Sequence, residues 1–213
     1  PSERVPSQPV RRGGAGGAMA WELAAGGAKE TGLVALFKGA SLISRSGEAV
    51  SVLTGLKNRT ALLYFAATWA EPCREFTCIL RQFHEAVRED DDSIAVIFVS
   101  NDKTKEEQAR FFAGEGVHPE WLMVEWSHDL EEIMDKFDVK KIPSLAVVDR
   151  DGKSVVEGAR DAVWDLVKDK SRDPAALKVA ARERWAEWRR HAGDWRASEG
   201  HTLGGVGAAS SSS

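Results

Sequence analysis

Residues 61–78 read ALLYFAATWAEPCREFTC, and this stretch decides the fold. It opens with an apolar run, Ala61–Phe65, of the length and composition typical of a buried strand. A loop over residues 66–72 follows and contains a proline. Beyond the loop, apolar residues recur at helical spacing, at Phe76, Ile79, Leu80, Phe83 and Val87. The stretch therefore predicts a buried strand, a short loop and an amphipathic helix over Cys73–Val87.

The rest of the chain alternates between strand and helix patterns. The predicted strands and hairpins are Ser41–Leu53 around Ser46-Gly47, Ile94–Val99, Trp121–Trp126, Leu145–Val148, and Ser154–Val156 after the Asp151-Gly152 turn. The predicted helices are Thr104–Ala113, Ser127–Phe137 with Ser127 as N-cap, and Asp161–Lys168. Helical crossovers imply parallel strands, and a terminal hairpin adds an antiparallel edge. The pattern predicts an α/β fold with a central mixed sheet flanked by helices on both faces.

Three separated segments resemble the tryparedoxin and nucleoredoxin family of thioredoxin-fold proteins. In Leu63–Thr77 a strand leads into W-A-E-P-C-R, where the family has W-C-P-P-C-R. The resemblance continues through Phe98–Asp102 and Phe137–Leu145, and it covers about residues 32–172. It implies a thioredoxin fold, a family chemistry of thiol-disulfide exchange, and a cis-proline at Pro143 that faces the family's dithiol.

The motif of this chain departs from the family pattern at its reactive position. Thioredoxin-type chemistry needs a first thiolate at a helix N-terminus to attack a disulfide, and a second thiol to resolve the mixed disulfide. Here Ala70 occupies the first position and Glu71 the next, and only Cys73 survives. Alanine cannot attack a disulfide, and the charge of Glu71 is expected to raise the pKa of a neighbouring thiol. The predicted vestigial site comprises Trp69, Ala70, Glu71, Pro72, Cys73 and Pro143.

Cys78 is badly placed to replace the missing thiol. It lies on the same predicted helix as Cys73, and at about 100° per residue the two side chains point roughly 140° apart. Their Cα atoms would be on the order of 8 Å apart, beyond disulfide reach. We interpret Cys78 as a small core residue, and Cys73 either as a buried structural residue or as a lone thiol with monothiol or intermolecular chemistry. Trp69 and Pro143 are either relics of the fold or walls of a peptide-binding groove.

Composition and spacing exclude several other functions. The chain has 213 residues and a formal net charge of -4, and its longest central apolar run, Ala61–Ala67, is too short to span a bilayer. No histidine lies at metal-ligand spacing with another histidine or a cysteine, and the glycines of residues 13–17 follow no strand. We predict neither a metal nor a cofactor. Two cysteines favour a reducing compartment, mitochondrial or cytoplasmic.

Residues 172–196 predict an amphipathic helix that the family core does not require. Asp173 is the predicted N-cap, Pro174 stands at the first helical position, and the helix is expected to end near Gly193. Its apolar stripe packs either on the chain's own domain or on a partner, for which Trp and Arg are favoured anchors. The predicted partner-binding residues are Leu177, Trp185, Trp188, Arg189, Arg190 and Trp195.

We divide the chain into a flexible arm (residues 1–30), a thioredoxin-fold domain (31–171), the C-terminal helix (172–196) and a Gly/Ala/Ser-rich tail (197–213). The domain carries excess acidic charge and the C-terminal helix excess basic charge, so any RNA contact is expected through that helix. Arms this poor in core residues are typically ordered only by their surroundings. We hypothesise a redox-inactive structural or interaction subunit, bound to protein partners in a larger assembly such as a mitochondrial ribosome. The alternative is a monothiol protein-disulfide oxidoreductase of the tryparedoxin type that uses Cys73.

Overall fold

A computed structural model describes residues 32–37, 40–114, 116–127 and 130–193. The strands in these ranges are β1 (Leu42–Ile43), β2 (Ala49–Val50), β3 (Thr60–Ala66), β4 (Ile94–Ser100), β5 (Leu122–Val124) and β6 (Ser144–Val148). The helices are α1 (Leu33–Leu36), α2 (Val52–Gly55), α3 (Glu71–Arg88), α4 (Lys105–Phe112), α5 (Leu130–Lys136), α6 (Ala159–Lys168) and α7 (Pro174–Ala192). The predicted arm and tail lie outside the described residues.

The strands form one mixed sheet in the order β2-β1-β5-β4-β3-β6. The central strands β3, β4 and β5 run parallel, as helical crossovers require, whereas β6 and β1 pair antiparallel with β3 and β5. Every residue of β3 and β4 is buried, which is typical of strands covered on both faces. The predicted mixed sheet flanked by helices is confirmed.

Alternate side chains of β3 enter two different apolar cores. Leu62 and Tyr64 belong to the core under α3, α4, α6 and α7, whereas Leu63 and Phe65 belong to the core under α1, α2 and α5. Helix α3 faces the first core with one apolar stripe, which includes Phe76, Leu80 and Phe83. The helix therefore has a single orientation on the sheet, and that orientation fixes where the motif at its start lies.

Two local predictions are wrong, and a third falls partly outside the described residues. Residues 154–156 form no strand, and only an isolated bridge at Ser154 joins them to the sheet. Helix α5 is described from Leu130, and residues 128–129, where the helix expected after Ser127 would begin, lie outside the described residues. The alternating pattern expected to reach Leu53 ends at Ser51, because the Ser51 side chain accepts a hydrogen bond from the Thr54 backbone and starts α2 there.

Helix α7 has the predicted N-cap and end, and it packs on the chain's own domain. The Asp173 side chain accepts a hydrogen bond from the Ala176 backbone, and the helix stops before Gly193. Trp185 and Trp188 are each 1% exposed within the first core. The ring of Trp188 lies 5.6 Å from that of Phe83. These two tryptophans are therefore core residues, and their prediction as partner-binding anchors is corrected.

Charge pairing explains why α7 docks where it does. The end of α3 and the turn after it carry carboxylates that face the basic side chains of α7. The pairs are Lys178–Glu89, Arg182–Glu89, Arg182–Asp90 and Arg189–Asp91. The carboxylates of Glu89, Asp90 and Asp91 are thus part of a contact within the chain.

The other predicted partner residues that the structure describes do not form a shared exposed surface either. Leu177 is partly buried and packs against the first core, and Arg189 is paired with Asp91. Arg190 is exposed, and its guanidinium donates to the Ala186 carbonyl. Trp195 lies outside the described residues.

Two buried polar atoms near α3 have no hydrogen-bond partner among the described residues. They are Nδ1 of His84 and Nε1 of Trp121. The ring of His84 also lies 4.5 Å from that of His118. Burial, with smaller contributions from His118, Arg88 and Arg59, lowers the pKa of His84 from 6.5 to about 3. His84 is therefore a neutral side chain held in an apolar site.

Docking of α7 is tested by truncating one tryptophan. We expect Trp188→Ala to lower the free energy of unfolding by about 3–5 kcal/mol, because it leaves a cavity against Phe83. Arg189→Ala is expected to cost only about 0.5–1 kcal/mol, and less at high salt. Urea denaturation measures both, with the exposed Arg190→Ala as the control. An unchanged midpoint for Trp188→Ala would show that α7 does not pack on the domain.

The buried histidine predicts acid sensitivity. The pKa of His84 is lower in the folded state than in the unfolded state, so only the unfolded state takes up this proton as the pH falls below about 6.5. Between about pH 7 and pH 5, this linkage lowers the free energy of unfolding by about 2 kcal/mol. We expect His84→Leu to remove that part of the pH dependence. Equal pH slopes for the two proteins in urea denaturation would contradict the prediction.

Candidate functional site

The vestigial motif lies where β3 leaves the sheet and α3 begins. Ala70 is the N-cap of this 18-residue helix, has extended backbone angles and makes no side-chain capping bond. Glu71 and Pro72 form the start of the first turn, and both are exposed. A thiolate at residue 70 would face the free N–H groups and positive dipole end of α3. The methyl group of Ala70 carries no charge and cannot interact with these N–H groups.

Cys73 is fixed through its backbone, and its thiol is buried. Its side chain is 0% exposed. Its carbonyl accepts hydrogen bonds from the Tyr64 hydroxyl at 2.9 Å and the Thr77 hydroxyl at 2.7 Å. Burial raises the pKa of the Cys73 thiol, the Asp102 carboxylate raises it further, and a hydrogen bond with the Ala67 backbone opposes both. The thiol is therefore protonated and shielded at neutral pH.

The carboxylate that acts on Cys73 is Asp102, which raises the pKa of the thiol. The expected effect of Glu71 concerns a thiol at residue 70, where this chain has alanine, and it stays a prediction. Glu71 is exposed on the first turn of α3, where water screens its charge. Asp102 follows β4, and its two oxygens accept from the Thr68 backbone and the Ser100 hydroxyl, each at 2.8 Å. It thereby ties the loop after β3 to the end of β4.

Asp102 is the site residue that sequence reasoning missed. In the sequence, the segment Phe98–Asp102 indicated only the family resemblance and no role for Asp102. Its position directly after a buried parallel strand was the available signal, because the carboxyl ends of neighbouring parallel strands meet at one edge of a sheet.

Trp69 presents an aromatic face next to the motif. Its side chain is 61% exposed, and its indole N–H donates to the Asn101 carbonyl at 3.2 Å. The ring borders a cleft of about 400 Å³ that is also lined by Asp102, Trp126 and Glu131. An exposed ring held by its polar edge is suited to contact another molecule.

Pro143 lies at the same end of the sheet. The Ile142–Pro143 peptide bond is cis, as the resemblance implied. Ser144 pairs with Phe65 in the register of β6 and β3, which places Pro143 level with the end of β3. The structure therefore brings the residues of the predicted vestigial site, residues 69–73 and Pro143, to the C-terminal end of β3. The predicted partner-binding residues of α7 are not part of this site.

The exposure of Cys78 contradicts its interpretation as a core residue. It is exposed, whereas Cys73 is buried, and both thiols are free. The buried face of α3 includes the residues on either side of Cys78, Thr77 and Ile79, so Cys78 points away from that face. The expected absence of a bridge between the two cysteines agrees with the structure.

The described residues include no group of three or more His, Cys, Asp or Glu side chains that could hold a metal ion. In the same part of the chain, no helix combines the length and apolar character needed to cross a membrane.

Comparison with known proteins agrees with this architecture. A family model described as thioredoxin-like matches residues 58–154. Tryparedoxin of Trypanosoma brucei brucei is 32% identical over 59% of this chain and 85% of its own length. The crystal structure of native tryparedoxin I from Crithidia fasciculata superposes with a TM-score of 0.55 at 30% identity, over 66% of this chain and 96% of that one.

The relatives of this chain also include longer proteins. A probable nucleoredoxin 3 of Arabidopsis thaliana is 32% identical, and the match covers 58% of this chain. The chain spans only between 20% and 30% of the length of the nucleoredoxins that it matches first. On these matches, the chain belongs to the tryparedoxin and nucleoredoxin family of thioredoxin-like proteins and has the thioredoxin fold, with the additional helix α7.

The two cysteines are expected to react at very different rates. Iodoacetamide should modify Cys78 in the native protein, whereas Cys73 should react on the order of 100-fold more slowly, because its alkylation needs local opening. Mass spectrometry of digested protein after a time course measures both sites. Cys78→Ser is the control that leaves only the slow site. Rapid native labelling of Cys73 would contradict the buried, protonated thiol.

Proposed function

We propose that this chain binds a protein or peptide partner at the surface around Trp69, at the end of the sheet where the buried Pro143 lies, and that it does not catalyse dithiol exchange. The observation that carries this proposal is the alanine at the N-cap of α3. Its tryparedoxin and nucleoredoxin relatives suggest a redox-type function. Without a thiol at residue 70, however, the chain has no nucleophile where the helix N-terminus would stabilise a thiolate.

Cys73 is a poor substitute for the missing nucleophile. A thiol must be deprotonated and reachable to attack a disulfide. The Cys73 side chain is fully buried, and burial and Asp102 raise its pKa. These properties argue against the monothiol oxidoreductase suggested as the alternative from the sequence.

The surface beside the motif supports a binding role. Trp69 is exposed, and its ring edge is anchored on the Asn101 carbonyl. The Trp69 cleft lies at the same end of the sheet as the buried Pro143, and its lining contains no thiol. Such a surface can contact a peptide through an aromatic face and backbone polar groups.

Contact with RNA through α7 has less support than the sequence suggested. Lys178, Arg182 and Arg189 are paired with carboxylates of the same chain. Arg184 is paired with Glu187 one turn along the helix. Cations that are already paired contribute less to phosphate binding. Membership of a ribosomal or similar particle stays a prediction from the sequence.

Restoring the first thiol tests the proposal. We expect the native protein to reduce insulin no faster than the dithiothreitol background. Ala70→Cys is expected to form a disulfide with Cys73 on oxidation, detected by mass, and to gain insulin reductase activity. Ala70→Ser is the matched control without a thiol. Dithiol-level turnover by the native protein would overturn the proposal.

A second assay separates the monothiol alternative. We expect the native protein and Cys73→Ser to show the same rate of exchange with glutathione disulfide. A native rate that falls to background in Cys73→Ser would assign the exchange to Cys73 and replace the proposed function with monothiol chemistry.

A further inference from the structure

A second groove lies beside α3, away from Pro143. It has a volume of about 370 Å³ and is bounded by α3, by the end of α4 and by the chain that follows α4. Its lining is mainly apolar and includes Phe111, Val117 and the exposed Cys78. Thr68, the residue before Trp69, also lines it, whereas Trp69 and Pro143 do not, so the groove adjoins the Trp69 surface but has a different set of lining residues.

One wall of the groove is held in place by Arg45. Its guanidinium donates to the backbone carbonyls of Ala113, Gly114 and Val117. A Cβ at Gly116 would lie 3.4 Å from the Cys78 sulfur, so this wall approaches α3 closely at that point. A wall fixed in this way loses little conformational entropy when a ligand binds.

Among the described residues that line the groove, two are arginines and none carries a carboxylate; Glu115, between the lining residues Gly114 and Gly116, lies outside the described residues. Arg74 extends from the first turn of α3 and donates to the Thr68 carbonyl. Arg110 lies in the last turn of α4. Neither arginine forms an ion pair within the described part of the chain. These guanidinium groups stand out on a domain whose sequence has an excess of acidic side chains.

We propose that this groove binds an extended acidic segment of a partner polypeptide, with an apolar side chain in the groove and carboxylates at Arg74 and Arg110. A small anion would gain nothing from the apolar walls. Nucleic acid needs a longer track of cations than two arginines provide. An acidic peptide with an apolar anchor matches both parts of the lining, because arginine pairs well with carboxylates at interfaces.

The experiment selects binders from a random peptide library displayed on phage, with the full chain as the target. The selected peptide is then synthesised with a fluorescent label, and its affinity is measured by fluorescence polarisation. We expect a consensus in which Asp or Glu flanks an aliphatic or aromatic residue. We also expect the bound peptide to slow the alkylation of Cys78, which lines the groove.

Charge reversal tests the assignment of the site. Arg110→Glu is expected to weaken binding by about tenfold. Lys153→Glu makes the same charge change at an exposed residue away from the groove and should leave the affinity unchanged. Trp69→Ala should also leave it unchanged, which distinguishes this groove from the proposed function. Enrichment of neutral or basic peptides, no enrichment, equal effects of the two charge reversals, or loss of binding in Trp69→Ala would each overturn the proposal.

Discussion

The structure depends on how β3 is tied to α3. β3 is buried on both faces, so the chain that leaves it must turn over one face and place a helix there. The Tyr64 hydroxyl, inside the first core, donates to the Cys73 carbonyl in the first turn of α3. Asp102 fixes the intervening loop to β4 through the Thr68 backbone. The geometry of the motif is therefore set by core packing and backbone hydrogen bonds.

That dependence explains how the site keeps its shape without its chemistry. No bond that holds the motif uses a side chain at residue 70, so alanine fits at the N-cap without disturbing the strand or the helix. Cys73 contributes its backbone carbonyl and a buried side chain, neither of which needs a reactive thiol. The exposed ring of Trp69 and the cis Pro143 turn remain at the edge of the sheet. A binding surface can persist on this scaffold after the nucleophile is lost.

Helix α7 extends the first core beyond the region shared with the family. Trp185 and Trp188 complete the apolar layer over α3, and the basic residues of the helix pair with the acidic end of α3. The basic charge of α7 and part of the acidic charge of the domain are thus paired with each other within the molecule. Burial of the two indoles supplies most of the attraction, because partly exposed ion pairs contribute little and mainly fix the position of the helix.

The sequence by itself determined the strand–loop–helix motif, the parallel strands, both ends of α7 and the missing nucleophile. These features depend on residue identity or on periodicity within a few turns. Only the tertiary structure decided that Cys78 is exposed, that Trp188 is buried in the chain's own domain, and that Asp102 acts on Cys73. Each of these features depends on which distant segments of the chain pack together in the fold. Local sequence patterns carry no information about that packing.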